Sequence, residues 1–591
     1  MKKKLDKQVA SARHALRRGQ HGEAIRRLRD AAKQAPRRND IRLELAAALR
    51  SGRQYQQAAS ELEAIIAADP HAVRAYDELG GLLLEVNDPE KAILVYRKGL
   101  ERTPESVACG LGLARALQRM NRLRDALEAL EKCYRQAPES PAVLKEYASL
   151  LAGVHRYQQA RQVFARLAEF PEYREQAIAN AAALELELAR PEQALRQFEG
   201  LGRKAGPNAL AVGARALNQM GQTEEAARLC RQALKQDNAH VTCWYELAEF
   251  SPSSLSTADL QVMESLLGKL PPQLRVPLYF AMARVYEYRQ EPEQEMEMLR
   301  QGNELQRSAA PYRKEVAERT DEAFIRAQRG GFLEEAIRQG TSEVAPVFIL
   351  GMPRSGTTLT EQILSSHSGV QPTGENRAIA RALAAVGEEL GVAGQDKLLR
   401  QSASLVVPSF IRHYLHYTRE MHSVNGECFT DKSMVAHRVV PLLAAAFPRA
   451  RFVRLSRNPM DLCLGCYRQL FNDQLRFSYD FHDCAHALAS FNAVVEEWEK
   501  LLPDRIYNLV YERLVADQEG ESRKLLEHVG LPWENQVLAF QENTRAVATA
   551  SMQQVRQGLT SARVDRWRRY GKALEPLRRA LQEHGVSVPE H

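Results

Sequence analysis

The chain has no run approaching the ~18–20 consecutive apolar residues that a membrane-spanning helix requires. Its basic opening, Met1-Lys-Lys-Lys-Leu-Asp-Lys, is not followed by the apolar segment of a secretion signal. These two absences predict a cytoplasmic protein with no membrane association. Cysteine is scarce too: eight in 591 residues, scattered at 109, 133, 230, 243, 428, 463, 466 and 484. That pattern excludes a disulfide framework and fits a reducing compartment. Nor is there a large excess of one charge. The net +7 favours polyanionic ligands in general but is modest for this size and does not indicate nucleic acid. What is present is ordinary for a soluble globular chain, 45% apolar and 26% charged residues. The length is too great for one hydrophobic core, so at least two domains are expected.

The first half repeats itself. Alanine stands at 24, 58, 92, 126, 160 and 194, five successive intervals of 34 residues. Twelve residues before each is a small residue (Ala12, Ala46, Gly80, Ala114, Ala148, Ala182), and four after each is a large apolar one (Leu28, Leu62, Tyr96, Leu130, Phe164, Phe198). Prolines at 36, 70, 104 and 138 keep the same interval and stop the second of two helix-period stretches in each unit. Small residues let paired helices approach closely, and the large ones fill the groove beside them. The period and these positions resemble the tetratricopeptide repeat. Six units run from about 5 to 208, and a seventh, its alanine displaced to Ala226, reaches about 240. We therefore expect an all-α repeat solenoid over 1–240 and degenerate helical repeats over 241–340. Such a solenoid offers a surface for a protein or peptide partner, or for homo-oligomerisation, and no catalytic groups.

From Val344 the pattern changes to Val-Ala-Pro-Val-Phe-Ile-Leu, a short apolar run suited to a buried parallel strand. It ends in Gly351-Met-Pro-Arg-Ser-Gly-Thr-Thr358 and then a helical stretch. Strand, glycine loop and helix together aim backbone N–H groups at an anion. The Gly-x4-Gly spacing matches a nucleotide-triphosphate loop, but Thr357 stands where lysine is needed and the cation has moved inside the loop, to Arg354. Further strands are expected at Glu427–Ser433, Ala450–Ser456 and Ile506–Tyr511, separated by helices. Residues 341–591 are thus predicted to form an α/β domain with a central parallel sheet.

The sequence Pro-Arg-Ser-Gly-Thr-Thr resembles the 5′-phosphosulfate loop of the sulfotransferases, and Arg457-Asn-Pro-Met-Asp461 their 3′-phosphate segment. Thr373-Gly-Glu-Asn-Arg377 resembles a segment of the protein-tyrosine sulfotransferases in content and in its distance from Arg354. The resemblance covers about 343–575, and the combination with repeats is similar to bacterial tetratricopeptide-repeat sulfotransferases. It implies 3′-phosphoadenosine 5′-phosphosulfate as co-substrate, with no metal. Arg354 and the amides of Ser355, Gly356, Thr357 and Thr358 would hold the 5′-phosphosulfate, and Arg457 the 3′-phosphate. Tyr511 and Ser551 match further contacts to the co-substrate. Glu375 matches the family's general base, and Lys432 the lysine on the leaving oxygen, assisted by Arg354. Two departures stand out: Gly465 replaces a serine, and Gln557 a lysine.

The implied acceptor is a hydroxyl. A tyrosine in a peptide or protein is suggested by the Gly-Glu-x-Arg segment and the upstream repeats; Arg377 could pair with acidic residues flanking it. A saccharide or small-molecule acceptor, or a non-catalytic scaffold whose domain only senses nucleotide, are the alternatives. Other patterns carry less. Cys463 and Cys466 suit core packing rather than a redox pair, and His482 and His486 suit a solvated helix rather than a metal site. His413, His416 and His422 are similarly weak. The basic, aromatic stretch Arg563–Tyr570 has no recognised nucleic-acid fold around it.

Overall fold

A computed structural model describes residues 2–188, 190–202, 205–329, 332–422, 424–471, 473–543 and 558–588. The chain forms two compact units, Met1–Leu184 and Glu185–His591.

The first unit is a run of helix pairs, beginning Lys2–Arg17 with His21–Gln34, then Asn39–Ser51 with Tyr55–Ala68 and Val73–Glu85 with Pro89–Arg102. Second helices end at Gln34, Ala68, Arg102 and Gln136, each just before the periodic proline. All six alanines of the 34-residue series, Ala194 in the second unit among them, have no exposed surface. Their partners show why the period is kept. An alanine places a methyl group where the facing helix leaves no more room, while Leu28, Leu62 and Leu130 fill the adjoining space. The third repeat has Tyr96 at the large position and compensates with glycine. A Cβ on Gly80 would lie 2.3 Å from the Tyr96 ring, and one on Gly112 would lie 2.2 Å from it.

In the second unit, Pro207–Gln219 and Thr223–Gln236 form another pair around the fully buried Ala226. Helices Val241–Phe250, Thr257–Leu267, Pro272–Arg289, Pro292–Ala309 and Lys314–Gln328 follow. Four parallel strands come next: β1 (Val347–Leu350), β2 (Thr430–Asp431), β3 (Arg451–Ser456) and β4 (Ile506–Val510), in the order β2-β1-β3-β4. β1 is buried throughout, as its unbroken apolar run requires. Register pairs Val347 with Arg451 and Phe452 with Ile506.

All four strands are shorter than the sequence suggests: β1 begins at Val347 rather than Val344, and β3 at Arg451 rather than Ala450. Residues 427–429 bond to 345–347 on one side, while Gln371 bonds to Cys428 on the other, which leaves only Thr430–Asp431 as regular ladder. Tyr511 does not end β4 but begins helix Tyr511–Ala516.

Helices 272–328 are built into the same unit as the sheet. Arg468 is 7% exposed and paired with Glu287 and, at 2.7 Å, with the buried Glu295. Asn303 donates to the Tyr467 carbonyl (2.9 Å), and Arg438 pairs with Asp321 (2.6 Å). Among the described residues no helix is long and apolar enough to cross a membrane.

Candidate active site

The site lies at the carboxyl ends of β1, β2 and β3, where parallel strands hand the chain to helices. After Leu350 the backbone turns through Gly351, whose added Cβ would meet Ser355 Oγ at 2.6 Å and Thr357 Cγ2 at 2.7 Å. Arg354 (φ 69°) and Gly356 (φ 111°) adopt left-handed conformations, and Arg354 does so without glycine's freedom. The loop then enters helix Thr357–Ser365, whose N-terminus has no side-chain cap. Its positive dipole end is therefore presented to the cavity. The Ser355 amide is turned inward to the Met352 carbonyl (3.2 Å), so of the amides matched to the phosphosulfate, this one is committed within the loop.

Arg457 follows β3 and crosses to both walls of the pocket. One terminal nitrogen donates to the Arg354 carbonyl (2.8 Å), the other to the Arg563 carbonyl (2.9 Å). The Tyr511 ring lies under its guanidinium at 4.4 Å. Asn458 caps helix Pro459–Tyr467 through the Met460 amide, and Asp461 accepts from the Trp567 amide (2.9 Å). The Arg-Asn-Pro-x-Asp segment thus fastens the late chain segment over the site. The resulting pocket is lined by Arg354, Gly356, Thr357, Thr358, Arg457 and Tyr511 on the sheet side, and by residues 558–560 and Arg563 opposite. Burial, with Arg284 and Arg457 nearby, pushes Arg354 down to about 9. The pocket is an enclosure of positive charge.

A second cluster sits beside it at the end of β2. Lys432 is 2% exposed at its side chain, 3.6 Å from the buried Glu361 and 3.9 Å from Glu375, which is 65% exposed. Glu361 also accepts from the Gly374 amide (2.8 Å) and the Thr430 hydroxyl (2.9 Å). It lies on helix Thr357–Ser365, so one helix serves both clusters: its N-terminus faces the arginines, and its next turn reaches Lys432. Asp431, buried beneath, accepts from Tyr414 (2.8 Å) and Ser433, and burial raises it to about 6.

This geometry agrees with the comparisons to known proteins. Residues 346–535 match the profile described as Sulfotransferase family. Residues 9–55, 43–107 and 83–150 match Tetratricopeptide repeat profiles. The chain carries tetratricopeptide repeats and a sulfotransferase-family domain. It is similar to an uncharacterized protein of Aquifex aeolicus, 33% identical over 381 residues, covering 62% of this chain and 49% of that one. It is also similar to protein-tyrosine sulfotransferase 1 of Danio rerio, 27% identical over 202 residues, covering 33% of this chain and 56% of that one. The chain thus spans about half the length of the curated relatives it matches. Among solved structures, the sulfotransferase domain of the Synechococcus PCC 7002 olefin synthase matches with a TM-score of 0.32 at 18% identity, covering 42% of this chain and 98% of that one.

Within the sulfotransferase-family domain, the residues singled out from sequence fall into the two clusters, with Ser355 buried behind the loop. Ser551 and Gln557 lie outside the described residues. Gly465 has a local reason: a Cβ there would stand 3.1 Å from Arg354 Cβ, so its bareness gives the arginine its path. Sequence reasoning missed Glu361 and Arg563. Glu361 carried one signal, a carboxylate one helical turn after Thr357 on the helix that follows the glycine loop.

The reading of His482 and His486 needs correction. Helix Phe481–Leu501 is not solvated at His486, which packs against helix Lys314–Gln328 and its approach, meeting Glu318 (2.9 Å) and Tyr312 (3.2 Å). Cys463 and Cys466 are free and fully buried, as core packing requires. Arg377 lies 3.8 Å from Glu187. Among the described residues no group of His, Cys, Asp and Glu is arranged to hold a metal.

Proposed function

We propose that the protein transfers the sulfuryl group of 3′-phosphoadenosine 5′-phosphosulfate to a hydroxyl acceptor, a tyrosine in a peptide or protein. The observation that carries this reading is the arginine-lined pocket at the end of β1 and β3, set beside a buried lysine that contacts an exposed glutamate. The residues fit such an anionic co-substrate. Ser355 Oγ and Arg457 Nε are buried with no hydrogen-bond partner among the described residues, and Arg354 is held below its ordinary value by burial and then by neighbouring cations. A bound anion relieves both conditions.

The co-substrate supplies an activated sulfuryl group whose leaving oxygen is a phosphate. Arg354 and the helix N-terminus at Thr357 hold the phosphosulfate end, and Arg457 holds the 3′-phosphate by a charge-assisted contact. Glu375, exposed to the acceptor side, takes the hydroxyl proton; a tyrosine hydroxyl, with pKa near 10, becomes a good nucleophile once it does. Lys432 places positive charge on the leaving oxygen, and Glu361 holds its ammonium group in place. Catalysis is then mostly positioning and electrostatics. The repeats present the surface for the peptide or protein partner, and the whole works in the cytoplasm.

The test is transfer of radiolabelled sulfate from the co-substrate by the purified full chain to acidic tyrosine peptides, saccharides and small phenols. We expect label on peptide tyrosine. Binding of 3′-phosphoadenosine 5′-phosphate without transfer to any acceptor would establish the scaffold reading instead. Label found only in saccharides or small molecules, and unaffected by deleting residues 1–240, would end the tyrosine assignment.

A further inference from the structure

The late segment of the chain is rich in arginine, and its arginines differ in what they meet. Arg566 pairs with Glu287, Arg568 lies 3.3 Å from Asp565, and Arg569 lies 3.5 Å from Glu295. These three have carboxylates of the protein to answer them. Arg563 forms no ion pair among the described residues, yet it is partly buried and lines the pocket together with Arg354 and Arg457. A half-buried guanidinium with no ion-pair partner is costly unless a ligand supplies one.

Its place is fixed by the pocket itself. The Arg563 carbonyl accepts from Arg457, whose other terminal nitrogen is tied to the Arg354 carbonyl. Arg457 therefore holds the Arg563 backbone against its own guanidinium, across from the phosphosulfate loop. Burial lowers Arg563 from the ordinary arginine value; Tyr511 and, more weakly, Glu287 oppose this, while Arg566 and Arg457 add to it. The two arginines thus crowd one region of the pocket, which is unfavourable between the cations alone and favourable once an anion bridges them.

We propose that Arg563 is a phosphate-binding residue of this pocket and grips, with Arg457, the 3′-phosphate of the co-substrate. The proposal rests on the reading of the pocket given above and extends it to a residue of the late segment. The 3′-phosphate is chosen over the phosphosulfate because Arg563 is tied to Arg457, whereas the helix N-terminus and Arg354 face the end of β1. In this arrangement the late segment senses the co-substrate directly: the residue that closes the pocket also contacts the group that distinguishes this nucleotide from an ordinary adenosine 5′-phosphate.

The experiment compares two nucleotides by calorimetry on the full chain: 3′-phosphoadenosine 5′-phosphate, and adenosine 5′-phosphate, which lacks only the 3′-group. In Arg563→Ala the first should bind about 10- to 100-fold more weakly, the scale of one charge-assisted contact. The second should be unchanged within about twofold, and Arg563→Lys should recover part of the loss. Arg563→Gln, which keeps the stem and removes the charge, gives the same comparison if the alanine variant folds poorly. Undiminished binding of the first nucleotide in both neutral variants, or an equal loss for both nucleotides, would overturn the assignment. If the unmutated protein failed to prefer the 3′-phosphorylated nucleotide, the reading of the pocket would fall and this proposal with it. A preference retained by the unmutated protein and by both neutral variants would sink only the role of Arg563.

Discussion

The repeats of the first unit and the sulfotransferase-family domain of the second use the same kinds of residue in opposite ways. In the repeats, ion pairs join neighbours one unit along the chain: Arg13 with Glu44, Arg50 with Glu85, Arg115 with Glu146, separated by 31, 35 and 31 residues. All three pairs are exposed. In the second unit Arg468 reaches Glu295 across 173 residues, and Arg566 reaches Glu287 across 279. Arg468 and Glu295 are almost fully buried. The first arrangement is one-dimensional: each repeat meets its neighbours, and damage stays local. The second is a closed network in which a buried charge depends on partners from distant parts of the chain. The candidate site lies in the second, where folding brings Lys432, Glu361 and Glu375 together beside the arginine-lined pocket.

The largest expected effect separates function from stability within the domain. Glu375 is mostly exposed, and its one ion pair among the described residues, to Lys432, is long at 3.9 Å. Glu375→Ala should lower turnover by about 10²–10⁴-fold, the usual worth of a general base. Thermal stability and nucleotide affinity should be near those of the unmutated protein. Wild-type turnover in a folded variant would remove Glu375 from the mechanism.

Next is the network itself. Arg468→Ala leaves Glu287 and Glu295 short of their shared cation in a buried place, and breaking such a pair costs about 3–5 kcal/mol. Denaturant unfolding should show the loss in the transition of the second unit, with the helical signal of the first unit melting as before. A small, uniform shift of both transitions would mean that the two units do not differ in this way.

Burial of charge also gives the domain a pH dependence that the repeats' exposed pairs do not share. Asp431 is raised to about 6, above the value near 4 of an unfolded aspartate. Between these values the folded state holds the proton that the unfolded state has lost. Stability should therefore fall as pH rises from about 4 to about 6, by up to about 1.4 kcal/mol per unit from this group. In Asp431→Asn that contribution disappears, so the variant should gain on the unmutated protein across the same window. Parallel stability profiles would show that Asp431 is not the titrating group.

How much of this was legible beforehand follows the same contrast. Ala24, Ala58 and Ala92 could be read as core because one packing rule recurs at one interval. Arg354 and Arg457 could be read because each hangs on a strand that passes into a helix, a local pattern. Arg563 was invisible as a pocket residue, since its neighbours Arg354 and Arg457 arrive from far upstream. His486 was misread for the same reason: its partners Tyr312 and Glu318 lie outside its own helix. Periodicity describes an element's own face and says nothing of a partner from elsewhere.

Within the repeats, steric fit rather than charge should dominate. Tyr96 is 2% exposed and wedged between Gly80 and Gly112, so its ring has no free direction in which to swing. Gly112→Ala should cost about 1–3 kcal/mol by overpacking. Combining it with Tyr96→Leu, the residue found at that position in three other repeats, should recover much of the loss. Additive losses in the double variant would mean that the two residues do not compete for one space.

The smallest effect is the sharpest test of the comparison. Arg115 lies 2.8 Å from Glu146, and its side chain is 52% exposed. Judged by distance alone, this pair is as good as that of Arg468 with Glu295 at 2.7 Å. Water, however, solvates Arg115 and Glu146 nearly as well apart as together, so Arg115→Ala should change stability by at most about 1 kcal/mol. Added salt should shrink even that difference, whereas the loss in Arg468→Ala should persist because its partners are shielded from counter-ions. A double-mutant cycle on each pair, at low and high salt, measures both couplings directly. Equal coupling energies would mean that burial is not what distinguishes the two regions. A coupling that is strong and salt-resistant for Arg468 and weak and salt-sensitive for Arg115 would tie the difference to where the charges lie rather than to how close they stand.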